Sequence, residues 1–114
     1  MDVFFVTLNK SDKDYSPSTM YRDYAINEEK FHWQSQSITS VESTTGQRYI
    51  NQKHNGNRVL IFVRDYKKDG QAAVPYTCIG LADYVSQYGS APINIVWKMH
   101  QPMPGVVLKK AVTV

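Results

Sequence analysis

Between Tyr21 and Gln36 the chain reads YRDYAINEEKFHWQSQ, a dense mixture of aromatic rings and hydrogen-bonding side chains. Tyr21, Tyr24, Phe31 and Trp33 supply flat apolar faces, while Asp23, His32, Gln34 and Gln36 supply carboxylate, imidazole and amide groups. Read as two short strands joined at Asn27-Glu28-Glu29-Lys30, the segment sets rings beside polar edges. Proteins use that pairing to hold a planar ligand with a hydrogen-bonding rim, such as a nucleobase. The same pairing also builds an ordinary sheet, in which Trp33 beside Phe31 is simply core. Arg22, Arg48, Lys53, Arg58, Lys67 and Lys68 are candidates for a phosphate-contacting rim around such a site, or scattered surface cations.

Other chemistries find little to work with. The chain has no G-x-S-x-G, no phosphate-cradling G-x-x-x-x-G-K-[ST], no H-E-x-x-H and no dinucleotide-binding glycine fingerprint. His32, His54 and His100 lack the spacing of metal ligands, so neither a metal nor a cofactor is expected. Glu28 and Glu29 are adjacent and point to opposite sides of a strand or into a solvated turn, without a partner for paired acid–base work. The expectation is a binding module and not an enzyme. Cys78 is the single cysteine, which excludes an intramolecular disulfide; flanked by Thr77 and Ile79, it is expected to be a buried, inert thiol.

The elements that must position these groups are mostly strands. Val3–Leu8 is an unbroken apolar run, expected to be a strand buried on both faces, followed by a loop over Asn9–Pro17. Met20–Ile26 and Phe31–Ser37 alternate in the extended sense, and on an ideal strand Tyr21 and Tyr24 fall on opposite faces. Thr44-Thr45-Gly46-Gln47 matches a helix-start pattern ahead of a short helix over Arg48–Gln52. Lys53–Asn57, with Asn55-Gly56, is a tight turn. Val59–Val63 reads as a central strand, Asp65–Gln71 as a charged hairpin loop and Tyr76–Leu81 as another strand. Asp83–Ser90 has no clear form. From Ile93 the alternation is regular: Ile93, Ile95, Trp97 and Met99 share one face, which assigns Trp97 to the core. Pro102 and Pro104 end this strand, leaving Gly105–Val114 as a tail or short helix.

With 114 residues, 42% hydrophobic and 20% charged, the chain suits one globular domain over 1–114. The count of strands predicts a mainly β (α+β) fold, a compact curved barrel of five to six strands with one or two short helices. A net charge of +3 is compatible with a nucleic-acid partner without requiring one. No apolar run approaches the roughly 20 residues needed to span a bilayer, so no membrane partner is expected and a cytoplasmic setting is.

Over Val3 to Lys110 the chain resembles the C-terminal domain of unknown function of bacterial proteins that join a phospholipase-D-type nuclease to a superfamily-two helicase. The resemblance is carried by FFVTLNKSDKDYSPSTMYRDYAINEEKFHWQSQS, TGQRYIN, VLIFVRDYKKDG, PYTCIGLADYVS and IVWKMHQPMPG. Such proteins look like modification-dependent restriction enzymes, whose terminal module reads methylated or hydroxymethylated cytosine through a domain similar to SRA (SET- and RING-associated) or PUA domains. The resemblance implies an SRA/PUA-like barrel, double-stranded DNA with a modified cytosine as partner, and extrusion of that base into a pocket. Nuclease and helicase domains would then act in cis in a larger relative. On this reading Trp33, Tyr24 and Tyr21 are the stacking candidates, with Asp23, Gln34 and Gln36 reading the base edge. Arg22, Arg48, Lys53 and Arg58 meet phosphates. The alternative is a protein-interaction β-module that docks to a helicase or nuclease partner.

Overall fold

The computed structural model describes residues 1–8, 23–64, 68–69 and 72–105. Tyr21, Arg22, Lys67, the loop expected over Asn9–Pro17 and the tail beyond Gly105 lie outside the described residues, as does the side chain of Lys68. Along the chain run β1 (Asp2–Thr7), β2 (Tyr24–Ala25), β3 (Lys30–Gln34), α1 (Thr44–Ile50), β4 (Val59–Arg64), β5 (Lys68–Asp69), β6 (Ala72–Ala73), β7 (Thr77–Tyr88) and β8 (Asn94–Met99). Six of the strands form one sheet in the order β1-β4-β7-β8-β3-β2, and β5 pairs with β6 as a small separate ribbon. β1 and β4 are parallel, whereas the remaining pairings among the described residues are antiparallel.

The sheet curls into a half-barrel because its longest strand bends twice. β7 slips register opposite Ile61/Phe62 and again between Tyr84 and Ser86. Each irregularity adds local twist, so the first half of β7 pairs with β4 and the second half with β8. Gly80, at φ +101°, takes the backbone geometry at the first of these that a side chain disfavours. The mainly β expectation is therefore met, with six strands in one curled sheet and one short helix among the described residues.

The concave face is the core. Phe4 and Val6 of β1, Val59, Ile61 and Val63 of β4, Phe31 of β3, and Ile95 and Trp97 of β8 are buried together. Trp97 is fully buried, as the alternating stripe required. β1 departs from expectation: Phe4 and Val6 are buried, but Val3 and Phe5 are exposed. It is the first strand of the sheet, covered on its concave side alone, so it alternates like any half-buried strand. Cys78 also departs, being exposed. It pairs with Phe62, an outward position of β4, and so faces outward itself. Asp83–Tyr88, without clear form in the sequence, simply continues β7.

α1 lies against the concave side. Its cap is Ser43 rather than Thr44: the Ser43 hydroxyl accepts from the Gly46 amide at 3.0 Å, and Gln47 reaches Val41 O instead of the cap. Gly46 is buried so tightly that a β-carbon there would collide with Ser40 O and meet Ile93 Cδ1 at 2.9 Å. Beyond the helix, Gln52 is buried and ties three segments: it donates to Asn57 O and Asp83 Oδ1 and accepts from the Tyr84 amide. No helix among the described residues is long and apolar enough to cross a membrane.

Candidate functional site

The curl brings β1 and β3, first and fifth in the sheet, to face one another across a cleft of about 680 Å3. Small-ligand sites run from about 300 to 1,000 Å3, and the cleft falls within that range. β3 owes its position to the turn before it: Asn27 Oδ1 accepts from the Glu29 and Lys30 amides, and Glu29 O and Glu28 O receive the Met99 and Met103 amides. That locks the hairpin onto the end of β8.

One wall of the cleft is aromatic. The Phe4 and Trp33 rings stack in parallel at 4.2 Å, and Tyr49 of α1 stands edge-on to both at 5.4 Å. Trp97 closes the cluster from beneath, 5.6 Å from Phe4 and 6.4 Å from Trp33. Trp33 itself is half-buried: it packs on the core and also lines the cleft. Burial raises the Tyr49 hydroxyl above its ordinary pKa, with a further push from the Asp2 carboxylate, so it stays protonated. The other wall is polar, with Asp23, Gln34 and Gln36 prominent. Buried Asp23 accepts from the Gln34 amide at 2.9 Å, which fixes its carboxylate beside β3. The Gln34 side chain donates to Asn94 Oδ1 at 2.7 Å. Arg64 sits at the end of β4 with its guanidinium 4.4 Å from the Tyr76 ring centre and its Nε on Thr7 Oγ1.

Thus Trp33, Asp23, Gln34 and Gln36 share one cleft. Tyr24 does not join them. It lies on the outer face of the sheet, stacked on His32 at 4.7 Å. Tyr21 and Arg22 fall outside the described residues. Among the cations, Arg48 is committed to Asp2 through a bidentate pair, with Nε–Oδ2 and Nη2–Oδ1 both at 2.9 Å. Lys53 and Arg58 are exposed, and Arg58 lines a second, smaller cleft with Asn57, Asp83 and His100. There His100 Nε2 lies 3.1 Å from Asp83 Oδ2. Burial works against the Asp83 charge, but Gln52 and His100 outweigh it and hold the carboxyl below its usual range. Among the described residues no group of three or more His, Cys, Asp or Glu is placed to hold a metal.

Phe4, Tyr49, Arg64 and Tyr76 also line the main cleft, and reading the sequence did not single them out. Phe4 is far from Trp33 in sequence, and only the curl of the sheet joins them. Arg64 had one signal, a cation ending an apolar strand.

A mainly β half-barrel with a cleft at its open side, aromatic on one wall and polar on the other, is the class of protein this geometry defines. The chain belongs to the family described as "Domain of unknown function (DUF3427)", whose model matches residues 2–110. A search of curated proteins found no match.

Proposed function

We propose that the chain is a DNA-binding specificity module that recognises 5-methyl- or 5-hydroxymethylcytosine in double-stranded DNA and takes the base into the β1/β3 cleft. The observation that carries this reading is the juxtaposition of the Phe4–Trp33–Tyr49 wall with Asp23, Gln34 and Gln36 in a cleft of suitable volume. The base packs against the exposed part of Trp33. Its exocyclic amine donates to Asp23 or Gln34, the pairing that a carboxylate or amide oxygen makes with cytosine. Extrusion costs a few kcal/mol, which stacking of roughly 1–3 kcal/mol and these hydrogen bonds offset. Among the described residues Arg64 lines the cleft and Lys53 and Arg58 are exposed, so these are the cations assigned to duplex phosphates, while Arg48 would first have to leave Asp2. In a larger relative with an SRA-like role in modification-dependent restriction, nuclease and helicase domains in cis would supply cleavage; the chain itself is a reader and not an enzyme.

Fluorescence anisotropy with methylated, hydroxymethylated and unmodified duplexes of one sequence tests this. A modified duplex should bind at least tenfold more tightly. Equal affinity for all three overturns the modified-base reading.

A second reading rests on the outer rim of the same cleft, which Val3, Phe5 and Tyr76 also line. On the outside of β1 and β4, exposed Val3 and Phe5 continue into Phe62 and Tyr76, with Phe5 stacked on Phe62 at 5.3 Å and edge-on to Tyr76 at 5.1 Å. Such a row suits a protein-interaction β-module docking to a helicase or nuclease partner. Salt separates the readings, because phosphate contacts weaken steeply with ionic strength and apolar contacts do not.

A further inference from the structure

The convex face of β2, β3, β8 and β7 carries a second aromatic row, away from the cleft. Tyr24 stacks on His32 at 4.7 Å with ring planes 19° apart. On the other side, the Tyr88 hydroxyl lies 3.1 Å from His32 Nε2, with ring centres 6.0 Å apart. His32 is thereby buried, while Tyr88 is 60% exposed and Tyr24 half-exposed. This row holds two tyrosine faces at fixed positions through an imidazole that both touch. A polar chain runs to it from the edge of the cleft: the Gln34 side chain donates to Asn94 Oδ1, and Asn94 donates to Tyr88 O.

Two residues further along the same face, roughly 7 Å away by strand geometry, lies a basic row. Lys30 on β3 and Lys98 on β8 are directly opposed in register. Like charges placed so are mutually destabilising. Asp83, opposite Lys98 on β7, is engaged by His100 and Gln52, at 3.1 Å each. Among the described residues neither lysine has an ion-pair partner. A row of held aromatic rings beside a row of unneutralised cations, on an open sheet face, is how proteins track a single nucleic-acid strand: bases stack and phosphates meet the cations.

We propose that this convex face binds single-stranded DNA, with unpaired bases on Tyr24 and Tyr88 and phosphodiesters against Lys30 and Lys98. The choice of DNA over RNA rests on the function proposed above. A duplex reader that also holds an unpaired strand would keep DNA opened beside its target, the substrate state a helicase generates.

Anisotropy with a labelled twelve-residue oligothymidylate tests the proposal on the whole chain, since that probe carries no modified cytosine. Lys98 and Tyr88 are exposed, so Lys98→Gln and Tyr88→Ala should keep the wild-type circular dichroism spectrum. Tyr88→Ala should weaken binding about fivefold or more, the loss of one stacked base. Lys98→Gln should lower the slope of log affinity against log salt by about 0.7, one phosphate on a single strand. Gln36→Ala, at an exposed cleft position, should leave oligothymidylate binding unchanged even where it reduces discrimination between duplexes, so the two readings fail separately. The proposal is overturned by absence of binding at low salt, by unchanged affinity in both convex-face variants, or by tighter binding of oligouridylate.

Discussion

Phe4 and Trp33 stack in parallel at 4.2 Å although β4, β7 and β8 separate their strands in the sheet. That contact spans the open side of the half-barrel. It is both the seam that holds the curl and the wall of the candidate cleft, so fold and site depend on the same two rings.

Truncating Phe4 should therefore be costly. Phe4 is 7% exposed and touches Trp33, Tyr49 and Trp97. Phe4→Ala should lower stability by about 3–5 kcal/mol, as other buried phenylalanine truncations do. Urea denaturation followed by tryptophan fluorescence measures this; a loss below about 1 kcal/mol, the size of a surface change, would show that the seam does not hold the curl.

Gly46 offers a test of opposite intuition. In most helices Gly→Ala stabilises by roughly 0.5–1 kcal/mol. Here the new methyl meets Ser40 O and Ile93 Cδ1, and a backbone oxygen cannot swing aside. Gly46→Ala should destabilise by about 3 kcal/mol or more, the upper end of overpacking, visible as a lower thermal midpoint. An unchanged midpoint would mean that α1 is not seated on Ile93 as described.

The Asp2–Arg48 pair gives a pH dependence with a definite sign. Burial alone would raise the Asp2 carboxyl, but hydrogen bonds from Arg48 and Asn57 and the Arg48 charge outweigh it, so its folded pKa is lowered. A carboxyl held lower in the folded chain contributes stability that is fully present above the unfolded value near ~3.9 and lost as pH falls through the folded value. With Arg48 43% exposed, solvent screening limits the pair to about 1 kcal/mol or less. Between neutral pH and about pH 3, below the unfolded carboxyl value, wild type should lose more stability in urea titrations than Arg48→Met does. Parallel losses would contradict the assignment.

Cys78 should react with a maleimide or disulfide reagent in the native chain, without denaturant, because its side chain is exposed on the outside of β7. Labelling only after unfolding would place it back in the core.

What the sequence made legible was local. The alternation Ile93-Ile95-Trp97-Met99 fixed one face of β8 because period-two burial is written in adjacent residues. The strand at Val59 was legible as a continuous apolar run, the turn at Asn55-Gly56 because those residue types tolerate positive φ, and the hairpin around Asn27 as a polar joint between two alternating stretches. Cys78 and the second half of β7 were not, because bulges shift the alternation and a bulge has little signature in side-chain types. Half of the candidate site was likewise visible: Trp33, Asp23, Gln34 and Gln36 are neighbours in sequence and meet in one cleft. Phe4, Tyr49 and Arg64 join them only through the curl, a long-range consequence of six strands. Tyr24, close in sequence to Trp33, ends on the opposite face through its pairing with His32.

That separation of Tyr24 from Trp33 defines the measurement that tests the central claim most directly. It is the ratio of affinities for modified and unmodified duplexes in wild type, Trp33→Ala, Gln36→Ala and Tyr24→Ala. Gln36 is exposed, so its variant remains informative if Trp33→Ala does not fold. The cleft account predicts a wild-type ratio of tenfold or more, lost in Trp33→Ala, reduced in Gln36→Ala and kept in Tyr24→Ala. A ratio of one in the wild type, or a ratio lost in Tyr24→Ala and kept in the two cleft variants, would contradict it.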